Sequence, residues 1–405
     1  MEFTGKKVII TGANGLVGLP AVKKCLEEGA AKVYAVDLRF SENLNFLKGQ
    51  YQDRLVLVKT DLTYLSHCES LFADEKIDIV LHIAGVKGSP ARSSTQPADY
   101  LFPMLMFNTN MIKASFDAKV DWFVYLSSVG VYKPADVMNE GDTWNQEETW
   151  ASTPSRLDWH PGWTKRMGEL TLDSLRVQYG WKNWTVIRPS NIYGINDNFA
   201  QDATVISSNI WKLFNVEGEE MVCWGDGSSR RDFVFGDDVA QAAIDVVKKE
   251  VSDIINFGCA EAVTIKETIE TIVECYKEIT GKIKVITWDS TKTNGDPIRC
   301  LGADKQKKYG ILPQTSLKEG LTKSILEYTL VKQIVPLNLS ESDIIKSQKT
   351  AVSNLNIEKT VPFVKEGDKT NPQIESLYKE INDELQIGKI PNILKTTSID
   401  PQIAK

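Results

Sequence analysis

An α/β fold built on a doubly wound parallel sheet is predicted by three features of the sequence. A glycine-rich turn, Thr11-Gly-Ala-Asn-Gly-Leu-Val-Gly18, joins an apolar run at Lys7–Ile10 to a helical pattern from Val17 to Glu28. Strand-length apolar runs then alternate with amphipathic helical stretches through the first two-thirds of the chain. An acidic residue, Asp37, closes the second run, Lys32-Val-Tyr-Ala-Val-Asp37.

The elements follow in order. Strands are expected at Val8–Ile10, Val33–Val36, Leu55–Val58, Ile79–Ile83, Trp122–Leu126 and Trp184–Ile187. Helical patterns between them include Met111–Ala118 and Lys165–Tyr179. From about Ile192 the pattern loosens, with helices at Val239–Lys248 and Ile265–Ile279 and a strand at Lys284–Trp288. The expected division is a sheet domain over 1–190, a smaller carboxy-terminal substrate-binding region over 191–330 with segments crossing back to the sheet, and a polar extension over 331–405. That extension has no Trp and no Cys and carries one helical stretch, Gln373–Leu385, so it reads as a poorly packed tether or docking arm.

Composition excludes several classes. A net charge of −7 argues against a general nucleic-acid binder. Six scattered cysteines lack metal-type spacing and read as buried thiols, so no metal site is expected. No run approaches 18 apolar residues, and the first residues form a strand instead of a cleavable leader. The expectation is a cytoplasmic enzyme with no membrane partner.

The glycine turn brings backbone close to a pyrophosphate at a helix amino terminus. Gly12 allows the tight turn, Gly15 the close approach and Gly18 the packing of helix on strand, with Asn14 and Leu16 between them. Asp37, about 20 residues on, is placed to accept both ribose hydroxyls and to repel a 2′-phosphate. NAD is therefore the expected cofactor, with Arg39 able to soften the preference. Asp61-Leu62 follows the third strand, where a carboxylate can accept from the adenine amino group, and His82-Ile-Ala84-Gly85 ends the fourth with small residues beside the cofactor. Further motifs are Leu126-Ser-Ser128, Trp163-Thr-Lys165, Arg188-Pro-Ser-Asn191, Trp224-Gly-Asp-Gly-Ser-Ser-Arg-Arg231 and Asn294-Gly-Asp296-Pro-Ile-Arg299.

Together these motifs resemble the extended short-chain dehydrogenase/reductase family, with its Rossmann-like fold, and within it the GDP-L-fucose synthase group of nucleotide-sugar enzymes. The resemblance spans Lys7 to Tyr328. It implies hydride transfer between a sugar carbon and the nicotinamide. A tyrosine phenolate, lowered in pKa by a lysine four residues later, moves the proton, and a Ser or Thr hydroxyl binds the same oxygen. Lys165 matches the lysine and Ser128 the hydroxyl residue, but the tyrosine position is Pro161. The Cys and His with which fucose synthases epimerise correspond to Gly130 and about Thr204. His160, adjacent to the proline, is the candidate replacement base, with an ordered water relayed by Ser128 and Lys165 as the alternative.

The resemblance also implies substrate contacts from Lys87, Asn191, Trp224, Arg231 and Asp296. Arg231 would approach the diphosphate, and Trp224 either stacks on a base or packs as an ordinary aromatic. Arg188 is read as a brace of the strand end, His82 as structural and His67 as a surface residue. The stretch Lys133–Trp159, with Trp144, Trp150, Glu147, Glu148 and Asp158, reads as a lid or an acidic loop. Three functions stand: an NAD-dependent oxidoreductase on a GDP-linked sugar at C4, an NAD-retaining 4-epimerase, and a non-catalytic nucleotide-binding partner. A homodimer through helices near Met104–Ala118 and Lys165–Tyr179 is implied.

Overall fold

The computed structural model describes residues 1–86, 93, 95–133, 149–150, 152–292 and 294–333. Lys87, most of the expected lid (134–148) and the polar extension beyond 333, with its helical stretch, lie outside the described residues.

Seven parallel strands form the main sheet. β1 (Lys7–Thr11), β2 (Lys32–Asp37), β3 (Leu55–Lys59), β4 (Ile79–His82), β5 (Trp122–Leu126) and β6 (Trp184–Pro189) are joined by Ile254–Phe257 from much later in the chain. The order across the sheet is Ile254–Phe257, β6, β5, β4, β1, β2, β3. The chain moves outward from β1 to β3, then returns to lay β4 against β1, with Thr11 opposite His82. That reversal makes a crevice at the carboxyl ends of β1 and β4, where doubly wound sheets bind ligands.

Both faces are covered, so the central strands are largely apolar; every residue of β4, β5 and β6 is buried, the polar ones being His82, Thr185 and Arg188. On one face helices Gly18–Glu27 and Gly236–Lys248 pack together through Ala21, Val22, Leu26, Val239, Ala243 and Val247. On the other lie Ala98–Asp117 and Trp159–Tyr179, packed side by side. A second core joins helices Val205–Asn215, Ile265–Thr280 and Leu317–Gln333 around Ile210, Ile272, Leu321 and Ile325. Short strands complete this part: Asn191–Tyr193 beside Phe233–Phe235, a three-stranded ribbon with Arg230–Arg231 at its centre, and Glu220–Trp224 beside Val285–Asp289.

Two helices begin earlier than their periodicity suggested. Ala98–Asp117 starts well before Met111 and runs through Pro103. Trp159–Tyr179 begins six residues before Lys165 and carries Pro161 as its third residue. A first-turn proline is tolerated because its missing N–H would have no intrahelical partner there. Among the described residues, no helix is long and apolar enough to cross a membrane.

Candidate active site

The glycine loop closes tightly on β1 and β4. A Cβ on Gly12, whose φ is +68°, would lie 2.8 Å from Ala84 Cα, and one on Gly18 only 2.0 Å from the Gly12 carbonyl oxygen. Gly15 is exposed at the tip, and the Leu16 carbonyl packs against Gly236. Asp37 holds the loop, its Oδ2 accepting from the Asn14 N–H at 2.9 Å, while Asn14 Oδ1 accepts from the Ser41 N–H at 2.7 Å. This Cβ-free cradle, with a carboxylate at the end of β2, suits a dinucleotide pyrophosphate and ribose. Asp61 lies beyond the end of β3, its Oδ1 accepting from the backbone and hydroxyl of Thr63, and Leu62 beside it is buried. Gly85 leaves open space around itself at the end of β4.

His82 is structural. It is fully buried between Thr11 Oγ1, 2.7 Å from Nδ1, and Asn108 Oδ1, 3.1 Å from Nε2. Because Asn108 Oδ1 can only accept, Nε2 carries the ring proton and Nδ1 accepts from the Thr11 hydroxyl. Burial, with Lys165 nearby, pushes the ring down to about 3, so it stays neutral.

Lys165 lies in the crevice. Its Nζ donates to the Leu126 carbonyl at 2.6 Å and reaches the Ala84 carbonyl at 3.5 Å, 5.0 Å above the Tyr125 ring. Burial pulls its ammonium from the usual 10.5 to about 7. Ser128 follows β5 and accepts the Gly130 N–H at 3.0 Å. Helix Trp159–Tyr179 presses on the same turn, since a Cβ on Gly162 would lie 2.3 Å from the Gly130 carbonyl. Ser128 and Lys165 thus sit at one corner of the cleft. His160 is half-buried in the first turn of that helix and makes no hydrogen bond among the described residues.

The buried amine has a measurable consequence. A lysine whose folded pKa is depressed adds stability fully above its unfolded value, and that stability is lost as pH falls towards the folded value. Lys165→Met is therefore expected to melt above the wild-type chain at pH 7, with the gap narrowing as pH approaches 10. Melting curves across that range check it; a constant gap would show the amine to be charged throughout.

The remaining residues form a charged cluster. Arg231 donates through Nη1 to the Arg230 and Asp296 carbonyls at 2.7 and 2.8 Å, and burial, with Arg299 beside it, lowers it to about 10. Arg299, which closes the motif that begins at Asn294, pairs with Asp296 Oδ2 and with Asp158 Oδ2, each at 2.5 Å. Asn191 Nδ2 donates to the Asp232 carbonyl at 2.8 Å. Trp224 stands apart on the edge pair Glu220–Trp224, 64% exposed, with the Lys292 ammonium 5.7 Å from its ring centre. Arg188 is the expected brace: it is fully buried and bound to Glu169. Five of the six cysteines are buried, and Cys259 is exposed. No metal-type cluster occurs among the described residues.

This fold defines a doubly wound dinucleotide-fold protein, with Lys165 on the Leu126 carbonyl at the end of β5 and Ser128 two residues beyond it. The chain belongs to the NAD dependent epimerase/dehydratase family, whose model matches residues 8–258. It is 28% identical to GDP-L-fucose synthase 1 of Arabidopsis thaliana over 332 residues, covering 80% of this chain and 93% of that one. The solved UDP-glucose 4-epimerase of Thermotoga maritima, holding UDP-glucose, shares the fold at 24% identity and a TM-score of 0.65, over 80% of this chain and 98% of that one. MoeE5, solved with UDP-glucose and NAD, is 25% identical with a TM-score of 0.62, over 80% and 98%.

Proposed function

We propose that this chain is an NAD-dependent oxidoreductase that transfers hydride at C4 of a GDP-linked sugar. The observation that carries it is the Lys165 ammonium between the carbonyls of Ala84 and Leu126, at the crevice bordered by the glycine loop. When bound, NAD supplies the hydride acceptor. Gly12, Gly15 and Gly18 would admit its pyrophosphate, Asp37 would bind its adenosine ribose and disfavour a 2′-phosphate, and Lys165 would bind its other ribose. Ser128 would hold the reacting sugar oxygen, and a proton carrier beside it would stand in for the absent tyrosine. Arg231 would neutralise the diphosphate and Asn191 and Asp296 would line the substrate pocket, as would Lys87.

Without the Cys and His of fucose synthases, single hydride transfer fits better than double epimerisation. A 4-epimerase that keeps NAD bound uses the same residues and differs only in returning the hydride to the other face. The purified chain with NAD is expected to develop nicotinamide absorbance on adding a GDP-hexose or GDP-heptose. Silence with every GDP- and UDP-sugar, with dinucleotide and sugar nucleotide still bound, would establish the non-catalytic binding partner instead.

A homodimer is part of the same proposal. Phe102 and Met106 on helix Ala98–Asp117, and Leu170 and Val177 on Trp159–Tyr179, leave large apolar side chains exposed on two adjacent helices. Leu170→Arg is expected to convert a dimer to a monomer in light scattering with the melting profile still cooperative. An unchanged mass would place the subunit contact elsewhere.

A further inference from the structure

Asp158 is the residue before helix Trp159–Tyr179, yet its side chain caps nothing. A carboxylate in that position ordinarily accepts the N–H of the second or third helical residue. The third here is Pro161, which has no N–H. The proline at the tyrosine position therefore also withdraws a capping donor from Asp158.

The freed carboxylate lies beside the reacting corner. Its Cγ is 3.4 Å from the place a Cβ on Gly130 would occupy, and Ser128 Oγ borders that place at the same 3.4 Å. Carboxylate and hydroxyl thus flank one small space, kept open because residue 130 has no side chain. Asp158 is 24% exposed, with Oδ2 against Arg299 and no hydrogen bond to Oδ1 among the described residues. Arg299 is held independently, its Nε and Nη2 on Asp296 Oδ2 at 2.8 and 2.5 Å, and Asp296 accepts Ser155 Oγ at 3.1 Å. Asp158 can therefore exchange partners without stranding a buried guanidinium.

We propose that Asp158 is the general acid/base of this chain, taking the part for which position 161 has no ionisable group; this rests on the oxidoreductase reading above. In the oxidising direction the sugar O–H bond breaks and its proton passes to a carboxylate oxygen of Asp158. The electron pair of the C–H bond leaves as hydride to NAD, and the carbon–oxygen bond becomes a carbonyl. In the reducing direction protonated Asp158 returns the proton to the oxygen as hydride arrives at carbon. Ser128 holds that oxygen, and Arg299 keeps the carboxylate aimed across Gly130.

The test pairs a binding measurement with a kinetic one on the full chain. Asp158→Asn is expected to bind NAD and GDP as the wild-type chain does, and to bind a GDP-hexose about 10- to 100-fold more weakly by calorimetry, the loss of one hydrogen bond to a charged group. Turnover is expected to fall roughly 10²- to 10⁴-fold. Formate is expected to restore part of it in Asp158→Ala, which a purely structural carboxylate would not allow. Wild-type hexose affinity or turnover in Asp158→Asn overturns the proposal, as does finding the whole loss in His160→Ala. A wild-type chain that oxidises no sugar nucleotide overturns the oxidoreductase reading, and a retained hexose-affinity defect then leaves Asp158 as a sugar contact without a reaction.

Discussion

Gly18→Ala is expected to weaken dinucleotide binding about 10- to 100-fold, the size of an overpacking penalty expressed as affinity. The added Cβ would lie 2.0 Å from the Gly12 carbonyl oxygen and 2.8 Å from Ala13 Cα. Both obstacles are backbone, so no side chain can rotate away. Either the turn unwinds, or helix Gly18–Glu27 withdraws from β1 and its amino terminus no longer meets a pyrophosphate. A comparison isolates the effect from helix propensity. Gly49 lies inside helix Glu42–Tyr51, and a Cβ there meets nothing within 4 Å. Gly49→Ala is expected to leave binding unchanged and to raise stability by about 0.5–1 kcal/mol. Calorimetric titration with NAD reads both variants; full affinity in Gly18→Ala would remove the dinucleotide from this loop.

The main sheet was legible because strands covered on both faces must be apolar along their length, and Trp122–Leu126 and Trp184–Ile187 are such runs. The glycine loop was legible because its spacing has a steric cause. The small sheets were not. Strands of two or three residues, such as Arg230–Arg231 and Phe233–Phe235, are too short to show a period. At the site, sequence located Ser128 and Lys165 but named Asp158 and Arg299 only as members of longer stretches, without a role of their own. Asp158 reads from sequence as part of a lid or acidic loop, and only the structure brings it beside Gly130 and Arg299. The pairing of Arg299 with Asp158 gave no sequence signal, because the two lie far apart along the chain. Asp232 was missed for a similar reason. Its carboxylate accepts the Cys259 and Ala260 N–H groups from a turn that only folding brings near, and burial raises it to about 7.

Glu169→Gln is expected to destabilise the chain by about 3–5 kcal/mol, through the arginine it abandons. Arg188 and Glu169 are both almost wholly buried and meet through two parallel bonds, Nε to Oε1 at 3.0 Å and Nη2 to Oε2 at 2.6 Å. Glu169 also accepts Ser127 Oγ at 2.5 Å, and Arg188 Nη1 donates to Tyr132 Oη at 3.1 Å and Thr149 Oγ1 at 2.6 Å. Burial works against the guanidinium charge, but the carboxylate holds the proton firmly. The pair fixes more than itself: Ser127 precedes Ser128, and Tyr132 ends the turn that follows it. Gln keeps the shape and removes the charge, leaving a buried cation without its counterion. A double replacement, Glu169→Leu with Arg188→Met, removes both charges and is expected to recover much of the loss, because their desolvation is no longer required. Urea denaturation of Glu169→Leu, Arg188→Met and the double variant measures the coupling. If the pair's role were only to stabilise, the double variant would regain activity with stability. Because the same network positions Ser127, Tyr132 and Thr149 around the reacting corner, the double variant is expected to fold well, bind NAD and still turn over slowly.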